Sequence, residues 1–144
     1  MERKEFLTTC GFACLGGAAM MALLEGCSGG KSIAGSIDHS DIVIPVAAFQ
    51  HKDKSSFRKY VVVEHEKLKY PICVYRFSDT EYSALLMRCT HQGAELQVFG
   101  ARLQCPAHGS EFNNKGVVQN GPADTNLRSF PVSMLNNQLY ISLK

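Results

Sequence analysis

Arg88–Phe112 reads RCTHQGAELQVFGARLQCPAHGSEF. Two short clusters stand out in it, Cys89-Thr90-His91 and Cys105-Pro106-Ala107-His108, with Gly93 and Gly109 just beyond the histidines. Residues two or three apart in a turn can both aim at one centre about 2–2.3 Å away. The glycines let the backbone bend tightly and bring amides close to a charged core, and Pro106 stiffens the second turn. Thiolates and imidazoles so spaced read as a metal site built from Cys89, His91, Cys105 and His108. Turn signals follow at once, in Asn113-Asn114-Lys115-Gly116 and Gln119-Asn120-Gly121-Pro122, so the second cluster sits among turns and not inside a sheet. The donor set by itself leaves a structural zinc and a redox cluster both open.

Around this stretch run short segments rich in Val, Ile, Tyr and Phe. Strands are expected at Asp41–Val46, Lys59–His65, Pro71–Phe77, Tyr82–Cys89, Leu96–Phe99, Ala101–Cys105, Leu127–Val132 and Gln138–Leu143, separated by Ser78-Asp79, Gly100 and Asn136-Asn137. From Ser28 onward no window carries a helical period beyond two turns. The expected fold is all-β, an antiparallel sandwich or open barrel with a small inserted subdomain that carries the metal loops, about 88–123. Cys73, inside the apolar run ICVY, reads as a buried small hydrophobe and not a ligand. His39, His51 and His65 lie in polar stretches and read as solvated. Residues 28–40, SGGKSIAGSIDHS, are Gly- and Ser-rich and read as a flexible tether, leaving 41–144 as the folded domain.

The chain has 144 residues, room for one domain. Its hydrophobic share of 45% suits an ordinary core, and a net charge of +2 is too small for a nucleic-acid surface. The basic cluster HKDKSSFRK reads as a solvated loop. No paired carboxylates, Ser/His/Asp set or nucleotide loop is evident, so the expected role is a carrier or small subunit and not an enzyme alone.

Residues 1–27 have a short polar start, an apolar run over Phe6–Leu24, then small residues and Cys27, the layout of an export signal. Arg3-Lys4-Glu5-Phe6-Leu7 resembles the twin-arginine export motif, with Lys4 at the second arginine. Leu24-Glu25-Gly26-Cys27 resembles a bacterial lipobox, with Glu25 departing from the usual small or apolar residue. The expectation is a lipoprotein anchored through Cys27 on the periplasmic side. An uncleaved anchor is the alternative, since Phe6–Leu24 is just long enough to cross about 30 Å of hydrocarbon at about 1.5 Å per residue. Plain secretion is the other.

The two clusters together, CTHQGAEL and CPAHGSEF, resemble the boxes of the Rieske iron–sulfur family, Cys-x-His-x-Gly-x-x-Leu and Cys-Pro-x-His-Gly. Cys89, His91, Gly93, Leu96, Cys105, Pro106, His108 and Gly109 match, and the resemblance extends from about Asp41 to the C-terminus. It implies one [2Fe-2S] cluster per chain, with Cys89 and Cys105 on one iron and His91 and His108 on the other, nearer the surface. It also implies one-electron transfer to redox partners, such as a cytochrome or a larger oxidoreductase subunit. The segment around Pro122 becomes a lid over the cluster. Neutral imidazoles in place of two thiolates remove negative charge, which raises the potential far above that of an all-cysteine cluster.

The chain departs from the quinol-oxidising members. Ala94 and Ala107 stand where those members have a disulfide pair, so the loops are expected to be held by packing, turns and the cluster. Ser110 matches a serine that donates to a bridging sulfide, and Phe112 stands where a tyrosine donates to a ligand cysteine. An intermediate potential is therefore expected, with Phe112→Tyr raising it and Ser110→Ala lowering it. A quinol-oxidising subunit of a cytochrome bc-type complex, the small subunit of a periplasmic molybdenum oxidoreductase and a structural zinc module are the rival readings.

Overall fold

One strand explains the architecture. Ile72–Arg76 is apolar and buried at its first four positions, a pattern that a strand solvated on one face does not show. Successive side chains of a strand point to opposite faces. Ile72 and Val74 enter one core with Ile42, Ile44, Phe49, Val61 and Ile141. Cys73 and Tyr75 enter a second core with Leu85, Met87, Leu103 and Phe112. The sheet that contains this strand is thus covered on both sides.

The computed structural model describes residues 30–144. In chain order the strands are β1 Ser32–Ala34, β2 Ser36–Asp38, β3 Asp41–Pro45, β4 Tyr60–Glu64, β5 Ile72–Arg76, β6 Tyr82–Leu86, β7 Gln97–Phe99, β8 Arg102–Gln104, β9 Glu111–Asn113, β10 Val118–Asn120, β11 Ser129–Phe130, β12 Val132–Leu135 and β13 Gln138–Ser142. The central sheet has the order β1-β4-β5-β6-β11; the sheets β12-β13-β3-β2 and β10-β9-β8-β7 cover its two faces. All named strand pairs are antiparallel except β1 with β4. The all-β sandwich with an inserted small sheet is the fold expected. Among the described residues no helix is long and apolar enough to cross a membrane. The export signal and Cys27 lie outside the described residues.

Three expectations change. Residues 28–40 are not a loose tether where the structure describes them: β1 pairs with β4 and β2 with β3, and Ile33 and Ile37 pack on the sandwich core. Gly and Ser masked an alternation of apolar residues whose partners are remote in sequence. Gly35 lets this segment pass from one sheet to the other, because a Cβ there would meet Ile42 Cγ2 at 2.6 Å and Val63 Cγ1 at 2.9 Å. The strand expected at Leu127–Val132 is divided at Pro131, which has no N–H to give a ladder; β11 stays in the central sheet and β12 joins the other. Finally, β9 and β10 were hidden by the turn residues beside them.

The strands run alternately up and down, so the fold has two ends. β5 and β6 meet at Ile72↔Leu86 on one side and Arg76↔Tyr82 on the other. Leu86 leads into Cys89, and β8 runs toward Cys105, so both clusters share the first end. The opposite end gathers Tyr60↔Tyr75 and the β7–β8 turn, where the Tyr75 hydroxyl donates to Gly100 O at 3.1 Å. The β9–β10 turn joins it through Ser83 Oγ donating to Asn114 O at 2.6 Å. β11 runs from Leu85 toward Ala84, away from the clusters, and β12 continues past Pro131 to Leu135. Since β1 runs parallel to β4 from Ser32↔Val62 to Ala34↔Glu64, the chain enters the fold at this second, entry end.

Gly116 closes the β9–β10 turn at φ 81°. A Cβ there would meet Leu85 Cδ2 at 2.8 Å and Leu127 Cβ at 3.4 Å. Gly116→Ala therefore combines left-handed strain with overpacking, and urea unfolding should show a loss of about 2–4 kcal/mol. An unchanged midpoint would mean that the turn relaxes without cost.

Candidate metal centre

The two Cys/His loops follow one backbone plan. The Cys89 N–H donates to Ala94 O at 2.8 Å and the Gly93 N–H to Cys89 O at 2.9 Å; the Cys105 N–H donates to Ser110 O at 2.8 Å and the Gly109 N–H to Cys105 O at 3.0 Å. Gly93 and Gly109 take φ of 78° and 81° to make these reversals, where an L side chain costs about 1–2 kcal/mol. Strand alternation aims the sulfurs. Cys89 continues the face of Leu85 and Met87, and Cys105 the face of Leu103, all within the second core. Both thiols are buried, at 1% and 2% exposure, whereas His91 and His108 are exposed.

The four donors are sorted two and two. The His91 and His108 rings stand edge to face with centroids 5.0 Å apart, and the Cys89 side chain lies against the Cys105 thiol. An inner sulfur pair and an outer nitrogen pair fit a binuclear group better than one tetrahedral zinc. Desolvation pushes the Cys105 thiol up, but hydrogen bonds from the His108 and Ala107 N–H groups and from the Cys89 side chain outweigh it, leaving it below the ordinary thiol value. Those donors would stabilise a thiolate.

Ser110 adds to the fit. It is the buried polar residue of the described core; its Oγ accepts the Ala123 N–H at 3.0 Å, and among the described residues its own proton has no protein acceptor. A buried hydroxyl without an acceptor suits a neighbour that accepts from it. Phe112 is fully buried across the ladder from Leu103.

The loops are tied by contacts that the sequence reading missed. Thr90 Oγ1 donates to Thr125 O at 2.6 Å, so the segment 121–125 is fastened to the first loop by Thr90 and to the second by Ser110. The Tyr70 hydroxyl donates to Gly93 O at 2.7 Å. Pro122 itself is exposed, while Ala123 is buried at 4%. A hydroxyl residue inside each box, Thr90 and Ser110, was the available signal. Cys73, Cys89 and Cys105 are free thiols, so this strap is what couples the loops. Thr90→Val removes one tie and should cost about 1 kcal/mol, seen as a severalfold faster bleaching under a chelator. An unaltered bleaching rate would show that the strap does not hold the loops.

A family model of the Rieske [2Fe-2S] domain matches residues 43–131. The chain belongs to the Rieske [2Fe-2S] domain family. A Rieske domain binds a [2Fe-2S] cluster. It is 39% identical over 75 residues to the oxygenase component of dicamba O-demethylase from Stenotrophomonas maltophilia, a match covering 45% of this chain and 22% of that protein. It is 38% identical over 56 residues to the cytochrome b6-f complex iron-sulfur subunit 1 of Synechocystis sp., covering 38% of this chain and 32% of the other. The Rieske chain thus spans less than a third of the length of these two relatives. Among solved structures, the cyanobacterial plasma membrane Rieske protein PetC3 from Synechocystis PCC 6803 superposes with TM-score 0.51 at 25% identity, covering 58% of this chain and 86% of that one. A ferredoxin of Sphingomonas yanoikuyae B1 shares the fold, with TM-score 0.51 at 24% identity over 71% of this chain and 96% of the other.

Proposed function

We propose that Cys89 and Cys105 hold one iron and His91 and His108 the other, in a small membrane-tethered carrier that exchanges single electrons with redox partners on the periplasmic side. One observation carries the reading: the thiols are buried and paired while the imidazoles are paired at the surface. When bound, the [2Fe-2S] cluster supplies a one-electron couple. The chain's own residues do the rest. The second core excludes water from the sulfurs, the His108 and Ala107 amides stabilise negative charge on Cys105, and the exposed imidazole edges offer a partner the shortest approach. The apolar run Phe6–Leu24 and Cys27 support the tether. Reduced protein matured in the cytoplasm should be coloured and give a low-temperature EPR signal of a mixed-ligand binuclear cluster; colourless, EPR-silent protein that contains zinc would overturn the reading. Mass spectrometry of the exported N-terminus tests lipid on Cys27.

Phe112 tests the tuning. Introducing one hydrogen bond to a charged group, worth about 1.5 kcal/mol, corresponds to about 60 mV for a one-electron couple. Phe112→Tyr should raise the midpoint by up to about that amount, and Ser110→Ala should lower it. Voltammetry that finds neither shift would discredit the hydrogen-bond account.

A further inference from the structure

We infer that the entry end of the domain is a lipid-docking face, which seats on an anionic bilayer and points the His91/His108 edge away from it. The inference rests on the tether reading and goes beyond it, since a tether alone leaves the domain free to face any way. Five large apolar side chains stand exposed among the described residues: Phe57, Phe99, Val117, Met134 and Leu135. All belong to the entry end. Phe99 flanks the β7–β8 turn, Val117 the β9–β10 turn, and Met134 and Leu135 the β12–β13 turn. Phe57 lies in the loop that leads into β4, under the Arg76 guanidinium at 3.9 Å. Exposed apolar groups confined to one pole, on loops from three sheets, mark that pole for contact.

The charge at this end selects the contact. Lys52, Lys54, Arg58 and Lys59 share one loop with Asp53 as its only acid, and Lys31 enters beside them. A groove of about 370 Å³ is lined by Phe57, Arg58, Lys59 and Arg76 among others; Arg76 is paired with Asp79 and Lys115 with Glu81, so the cations of the Lys52–Lys59 loop carry the attraction. Cations interleaved with exposed Phe and Leu suit anionic headgroups above an acyl boundary. Position agrees: the 29 residues that precede Gly30, with their apolar run Phe6–Leu24, join the fold at this same end.

The chain has no tryptophan. Leu135→Trp, Phe99→Trp and Gln92→Trp therefore each place a single reporter in the whole cluster-loaded chain, two at the entry end and one beside the Cys89 loop. Each is mixed with vesicles of phosphatidylglycerol and phosphatidylcholine, with and without brominated acyl chains. Flotation reports the tether and quenching reports the face. Leu135→Trp and Phe99→Trp should lose most of their emission to the brominated lipid, while Gln92→Trp keeps its emission. Adding Lys52→Glu and Lys54→Glu should restore emission without loss of flotation, and so should 1 M salt, which cuts the screening length from about 10 Å at 0.1 M to about 3 Å. Flotation without entry-end quenching, or with equal quenching at Gln92→Trp, overturns the face and leaves the tether, and a protein partner then becomes the occupant of the apolar pole. Entry-end quenching in a chain that does not float in high salt keeps the face and overturns the tether. Neither flotation nor quenching overturns both.

Discussion

A Cys105→Ala chain should purify without colour, with acid-labile sulfide at background, and with its small sheet open while the sandwich beneath it persists. Cys105 and Cys89 both lie in the core shared with Leu103, Phe112 and Ala123. Neither belongs to the core of Ile42, Val61, Ile72 and Leu139. Losing the thiol alone costs about 1–2 kcal/mol of burial. The larger loss is the metal, because a bound group that holds only the folded loops contributes its binding free energy to their folding. Here it joins two loops that have no disulfide between them and only the Thr90 and Ser110 ties to the 121–125 strap.

The effect should be local. Amide exchange should lose protection over β7 to β10 and the two loops, and retain it in β3, β4, β5 and β13. Far-ultraviolet circular dichroism should keep most of its strand signal. The first melting step should fall by more than about 10 °C, since 1 kcal/mol moves a domain of this size class by several degrees. Cys73→Ala is the control: an equally buried cysteine of the same core that should keep full colour and sulfide. A Cys105→Ala chain that retains its iron and sulfide would remove the ligand assignment altogether.

Much of this was legible beforehand for one reason: the metal chemistry is local. Cys89 with His91 and Cys105 with His108 are each set by a turn of a few residues, so spacing and glycine placement carry the geometry. The central strands were legible because ICVY and YVVV are apolar without interruption. What the sequence hid was long-range. Ser32–Ala34 reads as linker until Val62–Glu64 supplies its partner, and nothing local announces a parallel partner that distant in the chain. The division at Pro131 shows only once two sheets exist for the chain to pass between. Thr90 looked like a spacer in the box, and its role depends on the Thr125 carbonyl arriving from far along the chain. The clustering of exposed apolar groups at the entry end is likewise a product of the assembled sheets.

Alkaline pH should destabilise the protein through Cys73. Burial pushes its thiol from the ordinary 9.0 up to about 12, with Tyr75 the smaller, opposing influence. Burial and the nearby Cys73 also push the Tyr75 phenol up. The sign follows from which state keeps its proton. Above pH 9 the unfolded chain releases the thiol proton and the folded chain retains it, so the unfolded state binds fewer protons and stability falls as pH rises. The stabilisation is fully present below pH 9 and is lost between 9 and 12. At about 1.4 kcal/mol per pH unit, the loss by pH 12 is on the order of 4 kcal/mol, a large part of the 5–15 kcal/mol typical of a domain. Above the ordinary tyrosine value of 10.0 the phenol steepens the fall. Urea titrations of the cluster-loaded chain at pH 8, 9, 10 and 11 should show this slope. Cys73→Ala should begin lower at pH 8, by about 1–2 kcal/mol for the lost burial, then fall less steeply, cross the parent chain between about pH 10 and 10.5, and lie above it at pH 11. Parallel curves for the two proteins would mean that Cys73 meets enough water or positive charge in the fold to ionise as it does in the open chain.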